Sequence, residues 1–253
     1  MRARRHPLYL VPSLAIALAL ASGTTPNVAR QAPKPFPVAE LFLELNDTDG
    51  DLGLHADIDG EPWTSLEIEG PGERMLFDVI SKGPLRSHGL TQLSFESAEP
   101  SFDELPPEDT LRRFPEGRYE ISAIRQGGGE YESLVRLSHV LAAPPVATVN
   151  GLPAAESCDV TPLPEVAAPV LVNWKTVTKS HPEIGETGAV TISRYQFFLE
   201  RDAMKLGVDL PPNVTEFKVP SSLIAARGVY KFEIIARTST GNNTAIESCF
   251  RIN

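Results

Sequence analysis

The stretch "NDTDGDLGLHADIDGE", residues 46–61, gathers five aspartates, one histidine and three glycines. Carboxylates crowded on a tight turn suit a hard divalent cation, because calcium takes about six to eight oxygen ligands. Asp47, Asp49 and Asp51 alternate as the first ligands of an EF-hand loop do. The rest of that pattern fails: its sixth position is Leu52 instead of glycine, and its twelfth is Ile58 instead of glutamate. A looser calcium site would take Asp47, Asp49 and Asp51 from the loop and Asp57 or Asp59 from the strand that follows. The competing reading is a solvated turn. There the aspartates of "DTDGD" make Asx-type bonds to their own backbone and Gly50 supplies a positive φ. His55, Asp57 and Asp59 then lie on the outer face of a half-buried strand, with Leu54, Ala56 and Ile58 on its inner face. A zinc site through His55 is not expected, since no partner stands at ligand spacing along the chain.

Other chemistry is sparse. The sequence has no Gly-X-Ser-X-Gly elbow, no His-Glu-X-X-His, no Cys-X-X-Cys and no phosphate-cradling glycine loop. The histidines His6, His55, His88, His139 and His181 fall in unrelated segments. The densest carboxylate run outside the first stretch is "ESAEPSFDELPPED", with Glu96, Glu99, Asp103 and Glu104. A paired-carboxylate hydrolase is one reading of it. A capped, solvated helix entry explains the same residues without catalysis, and no enzyme is expected.

The elements that would hold these residues are short strands. Hydrophobic residues make up 42% of 253, enough for real cores, while 23 prolines and 18 glycines imply many turns and few long helices. Strand candidates in the first half are "ELFLEL", "LGLHADI", "TSLEIE", "MLFDVI", "TQLSFE", "RYEISAI" and "YESLVRLSHV", with hairpin signals at "GPGE" and "GGG". One helix is expected in "SFDELPPEDTLRRF", capped by Ser101 or Asp103. Prolines and small residues over 140–155 predict a domain boundary near Ala142 to Pro144. Strands resume at "PVLVNWKTV", "ISRYQFFLE", "TEFKVP", "YKFEIIART" and "AIESCFRI". The expected architecture is all-β: two tandem β-sandwiches over 40–142 and 144–253.

Residues 1–23 have the makeup of an export signal: basic "MRARRH", apolar "LYLVPSLAIALAL", then small residues for cleavage. A proline-rich, flexible leader is expected over 24–39. No later run is long and apolar enough to span a bilayer, so no membrane span is expected once the signal is removed. In an oxidising compartment the two cysteines, Cys158 and Cys249, are expected to bridge. The formal charge is −10, with no basic patch, which excludes an ordinary nucleic-acid binder.

The second half resembles a fibronectin type III domain. The resemblance rests on Trp174 in "VLVNWKTV", Tyr195 in "ISRYQFFLE", and "TEFKVPSSLIAARGVYKFEIIARTSTGNN", where Gly228 precedes Tyr230 and an alternating strand. It implies a seven-stranded sandwich with Trp174 and Tyr195 in the core and Tyr230 as a tyrosine corner. The segment "KTVTKSHPEIGETGAV" is inserted relative to the family. The first half is similar to blocks in bacterial secreted proteins that precede such a domain, and that similarity implies no activity. "EGRYEISAI" and "RGVYKFEII" echo each other, which suggests two related sandwiches.

These readings converge on a secreted, periplasmic or cell-surface bacterial protein. The expected role is a non-catalytic binding, adhesion or spacer module whose partner is an extracellular protein or surface glycan. The alternatives are an accessory part of a carbohydrate-active enzyme, or a weak hydrolase, and a calcium-stabilised structural module. Calcium is the one cofactor entertained.

Overall fold

Period-two alternation builds most of the chain. A computed structural model describes residues 32–224 and 227–253. The expected export signal and the start of the leader lie outside the described residues. The first half comprises β1 (Val38–Asn46), β2 (Asp51–Gly70), β3 (Arg74–Ile80), helix α1 (Gly83–His88), β4 (Leu90–Glu96), helix α2 (Pro107–Arg113), β5 (Gly117–Arg125) and β6 (Glu130–Leu137). The second half adds β7 (Ala147–Val149), β8 (Leu152–Pro153), β9 (Glu165–Val166), β10 (Leu171–Trp174), β11 (Ile192–Arg201) and β12 (Met204–Leu210). It ends with β13 (Glu216–Lys218), β14 (Gly228–Thr238) and β15 (Asn243–Ile252). The protein is an all-β sandwich structure.

"LGLHADI" and "TSLEIE" belong to one long strand, β2, and not to two. Its first part pairs with β1 and β4, and its second part with β3 and β5. The register breaks between Asp59 and Trp63, where Gly60 and Pro62 sit. Such an irregularity lets a strand bend and change partners. Leu52, Leu54, Ala56 and Ile58 before the break, and Trp63, Leu66 and Ile68 after it, are all buried in the first core. The alternation predicted for Leu54, Ala56 and Ile58 is therefore the one observed.

The expected flexible leader ends earlier than 39. Lys34 bridges to Tyr131 of β6, and Phe36 is buried with its ring stacked on Tyr131 at 4.4 Å. The helix also begins later than expected. Pro106 is its N-cap residue and makes no side-chain cap bond, while Ser101 and Asp103 lie in the turn before it. Proline excludes the preceding residue from helical geometry and favours the first helical turn, so the Pro106–Pro107 pair sets the start. The charge expectation holds: Glu108 and Asp109 occupy the first turn, Arg112 and Arg113 the last.

In the second half, the sheet order β13-β10-β7-β8 faces β12-β11-β14-β15 across a second core. Trp174 and Tyr195 are buried there, edge-to-face with ring centroids 5.5 Å apart. Tyr230 is buried beside Phe250, and its hydroxyl accepts from Arg201 Nη1 at 3.0 Å. Cys158 is joined to Cys249 of β15.

The sequence echo has a structural counterpart. Tyr119 and Tyr230 are both buried, and each follows by two residues a glycine of positive φ, Gly117 at 145° and Gly228 at 140°. Those angles are cheap only for glycine. Each glycine opens a strand paired antiparallel to the next, β5 with β6 and β14 with β15. Tyr119 also donates from its hydroxyl to Pro115 O at 3.0 Å, a corner that ties the strand to the segment before it.

Candidate functional site

Two places concentrate polar chemistry. The first is the junction between the cores. Leu141 belongs to the first core and Ala142 to the second. β1 pairs in parallel with β15 over three positions, Glu44 with Asn243, Leu45 with Thr244 and Asn46 with Ala245. Residues 32–253 therefore form one compact unit with a sheet running through both cores.

Asn242, wholly buried in the turn between β14 and β15, pins this junction. Its Oδ1 accepts from Leu43 N at 3.0 Å, and its Nδ2 donates to Ser138 O at 2.7 Å and Val140 O at 3.1 Å. Thr244 Oγ1 donates to Ala142 O, Thr48 exchanges hydrogen bonds with Glu247, and Arg237 reaches Glu40 at 2.7 Å with its guanidinium over the Phe42 ring. Residues of the segment "KTVTKSHPEIGETGAV" reach the same junction. His181 N donates to Leu141 O, its Nε2 lies 2.9 Å from Asp47 Oδ1, and Ile184 packs on the first core.

The second place is the outward face of β14, β15, β1, β2 and β4. Glu233 of β14 pairs with Glu247 of β15, Glu44 lies on β1, Asp51 and His55 on β2, Glu96 on β4 opposite His55, and Glu99 just after β4. Burial, then Glu44 and Glu247, push the Glu233 carboxyl up to about 7, against the pull of Lys231. Burial, then Glu99 and Asp49, push Asp51 up to about 6, and Asp51 Oδ1 is buried without a hydrogen-bond partner. Burial disfavours charge on His55, but its hydrogen bond to Glu99 and the charges of Glu44, Glu99 and Glu96 carry its pKa above the ordinary value. Among the described residues, His55, Glu96 and Glu99 bring ligand atoms within 4.8 Å of one another.

Three of the aspartates singled out from the sequence have individual partners. Asp47 meets His181, Asp49 accepts from Asn46 Nδ2, and Asp57 accepts from Ser94 Oγ at 2.6 Å. The Asx bonds of the turn come from Asn46, whose Oδ1 accepts from Thr48 N and Asp49 N, while Gly50 has the expected positive φ. His55 is not without ligand-type partners, contrary to the sequence expectation. The pairing of β2 with β4 sets His55 opposite Glu96, and Glu99 lies 2.8 Å from Nε2. In the other carboxylate run, Asp103 and Glu104 are exposed in a turn, apart from this trio.

Sequence reasoning gave no site role to Glu44, Asn242, His181 or Glu233. Alternation along β1 signalled that Glu40 and Glu44 share a face. Nothing local announced that their partners stand 197 and 199 residues away, as the Arg237–Glu40 and Asn243–Glu44 bonds do.

No protein-family model matches the chain, and no curated protein matches it. Among solved structures, it is similar to one of a 1.5-MDa bacterial ice-binding adhesin, at 12% identity and a TM-score of 0.27, over 88% of this chain and 66% of that one. It is also similar to a tetra-tandem repeat in the extending region of a large adhesion protein, at 11% identity and a TM-score of 0.27, over 85% of this chain and 50% of that one. The chain thus spans less than two thirds of either structure's length, and at these scores neither likeness bears on function.

Proposed function

We propose that the protein is an exported, non-catalytic spacer module that holds its points of entry and exit apart. The observation that carries this reading is the staggered parallel pairing of β1 and β15. The strands overlap at three positions only, so β1 extends backwards from the overlap and β15 forwards. Val38 to Glu44 and then Asn243 to Asn253 span roughly 50 Å at about 3.3 Å per residue. Entry and exit therefore fall at opposite ends of two stacked cores. The arrangement of β7, β10 and β13 against β11, β12, β14 and β15, with Trp174 and Tyr195 between them, supports a fibronectin type III-like second half. The Cys158–Cys249 bridge fits an oxidising, extracytoplasmic compartment. Among the described residues, no helix is long and apolar enough to cross a membrane.

A spacer bears load along its axis. Pulling the ends apart shears the β1–β15 pairing, so its hydrogen bonds share the force instead of opening one by one. The covalent path also takes a shortcut through the disulfide, which removes a 91-residue loop from the extensible chain. Single-molecule stretching of the mature chain between its ends tests this. The oxidised protein is expected to release roughly 300 Å less chain on full unfolding than the reduced one, at about 3.5 Å per residue. It should also resist force before either core opens. Extension at forces too low to register against a flexible linker would refute the spacer reading.

A further inference from the structure

We propose that His55, Glu96 and Glu99 form a binding site for a borderline divalent transition ion of the zinc type, fastening β4 and the segment after it onto β2. The inference stands apart from the spacer reading, since it concerns the first core alone. One imidazole nitrogen and two carboxylates are a donor set that suits zinc, whereas calcium prefers oxygen throughout.

Three features of the site support it. The ligand atoms already lie within 4.8 Å of one another, and His55 Nε2 is 2.8 Å from Glu99 Oε1. A zinc ion about 2.0–2.1 Å from each donor would hold that pair roughly 3.3 Å apart, so the pair would open by about half an ångström while the Glu96 carboxylate moves in. Gly53 lies on the same strand face as His55, and a Cβ there would meet Glu99 Oε1 at 2.1 Å. The missing side chain is what lets the Glu99 carboxylate lie over β2 and reach the imidazole. Finally, Asp51, two residues further along that face, keeps Oδ1 buried with no hydrogen-bond partner beside the Glu99 charge. An open depression of about 280 Å³, lined by Phe42, His55, Asp57, Ser94 and Glu96 among others, adjoins the trio at His55 and Glu96 and leaves room for water as a further ligand.

The site is built by strand pairing, which is why it cannot be read from linear spacing. His55 and Glu96 are directly opposite in the β2–β4 register, and Glu99 folds back after the strand ends. Asp57, directly opposite Ser94, is held by the Ser94 hydroxyl and stays out of the trio.

The test uses the full mature, disulfide-bonded chain stripped of metal by chelation. Cobalt(II) serves as the spectroscopic probe, and zinc as competitor. The proposal predicts one cobalt per chain with visible absorption bands of a low-coordinate site, displaced by zinc, and a zinc-dependent rise in melting temperature reversed by chelator. His55→Ala and Glu99→Gln should weaken binding by about tenfold or more, and Gly53→Ala should weaken it by displacing Glu99 while leaving every ligand in the chain. Should a variant fail to fold, the wild-type protein alone decides the matter: zinc must shift the imidazole nitrogen resonance of His55. No shift of that resonance, zinc affinity unchanged in folded His55→Ala, or a melting response to calcium equal to that to zinc would each overturn the proposal.

Discussion

At the scale of single residues, charge is distributed against its ordinary preference. Glu233 sits half-buried among carboxylates, and its carboxyl is raised to about 7 by burial and by Glu44 and Glu247. A carboxyl with a raised folded-state pKa binds its proton more tightly folded than unfolded. Its contribution to stability is complete below the unfolded value of 4.5 and is lost as pH rises through about 7. Glu233→Gln, which keeps the shape without the charge, is therefore expected to stabilise the protein at pH 8 by about 1–3 kcal/mol relative to its effect near pH 4. Chemical denaturation at the two pH values measures this, and an equal effect at both would show that Glu233 is not strained by its neighbours. Three Asn-X-Ser/Thr tripeptides start at Asn46, Asn213 and Asn242, and their asparagines differ in exposure. Asn242 is wholly buried with its amide spent on the junction, Asn46 is committed to its own turn, and Asn213 is exposed.

At the scale of elements, what was legible in the sequence was what a strand says about itself. The alternation of β1, β5, β11, β14 and β15 gave their positions, and the face assignment of Leu54, Ala56 and Ile58 followed from it. "GPGE" and "GGG" mark real turns, with positive φ at Gly72, Gly128 and Gly129. β12 was overlooked although "MKLGVDL" alternates, because Gly207 thins the pattern at its centre. The bend in β2 was not legible, since Gly60 and Pro62 read equally as a turn between two strands. Nor was the His55–Glu96–Glu99 trio, which exists only through register. The β14–β15 turn is the element on which the junction depends most. Asn242→Ala would leave Leu43 N, Ser138 O and Val140 O without their buried partner. Each orphaned group costs on the order of 1 kcal/mol or more, so a loss of about 2–4 kcal/mol is expected. Equilibrium unfolding checks it, and a loss below about 0.5 kcal/mol would mean the buried bonds are replaced by water or by slack in the turn.

At the scale of the whole molecule, the described residues hold two core clusters within one compact unit, and "KTVTKSHPEIGETGAV" helps to join them. In that segment His181 and Ile184 reach across to the first half. It works with the β1–β15 pairing and with Asn242 to join the two cores into one compact unit. The account turns on that staggered pairing, and the separation of its two ends tests it most directly. Spin labels at Val38→Cys and Asn253→Cys, read by pulsed dipolar spectroscopy with the native disulfide intact, are predicted to give a single narrow distribution near roughly 50 Å. A separation under about 30 Å, which the strand lengths allow only if β1 and β15 overlap along their whole length or fold back, would contradict the account, as would a broad distribution.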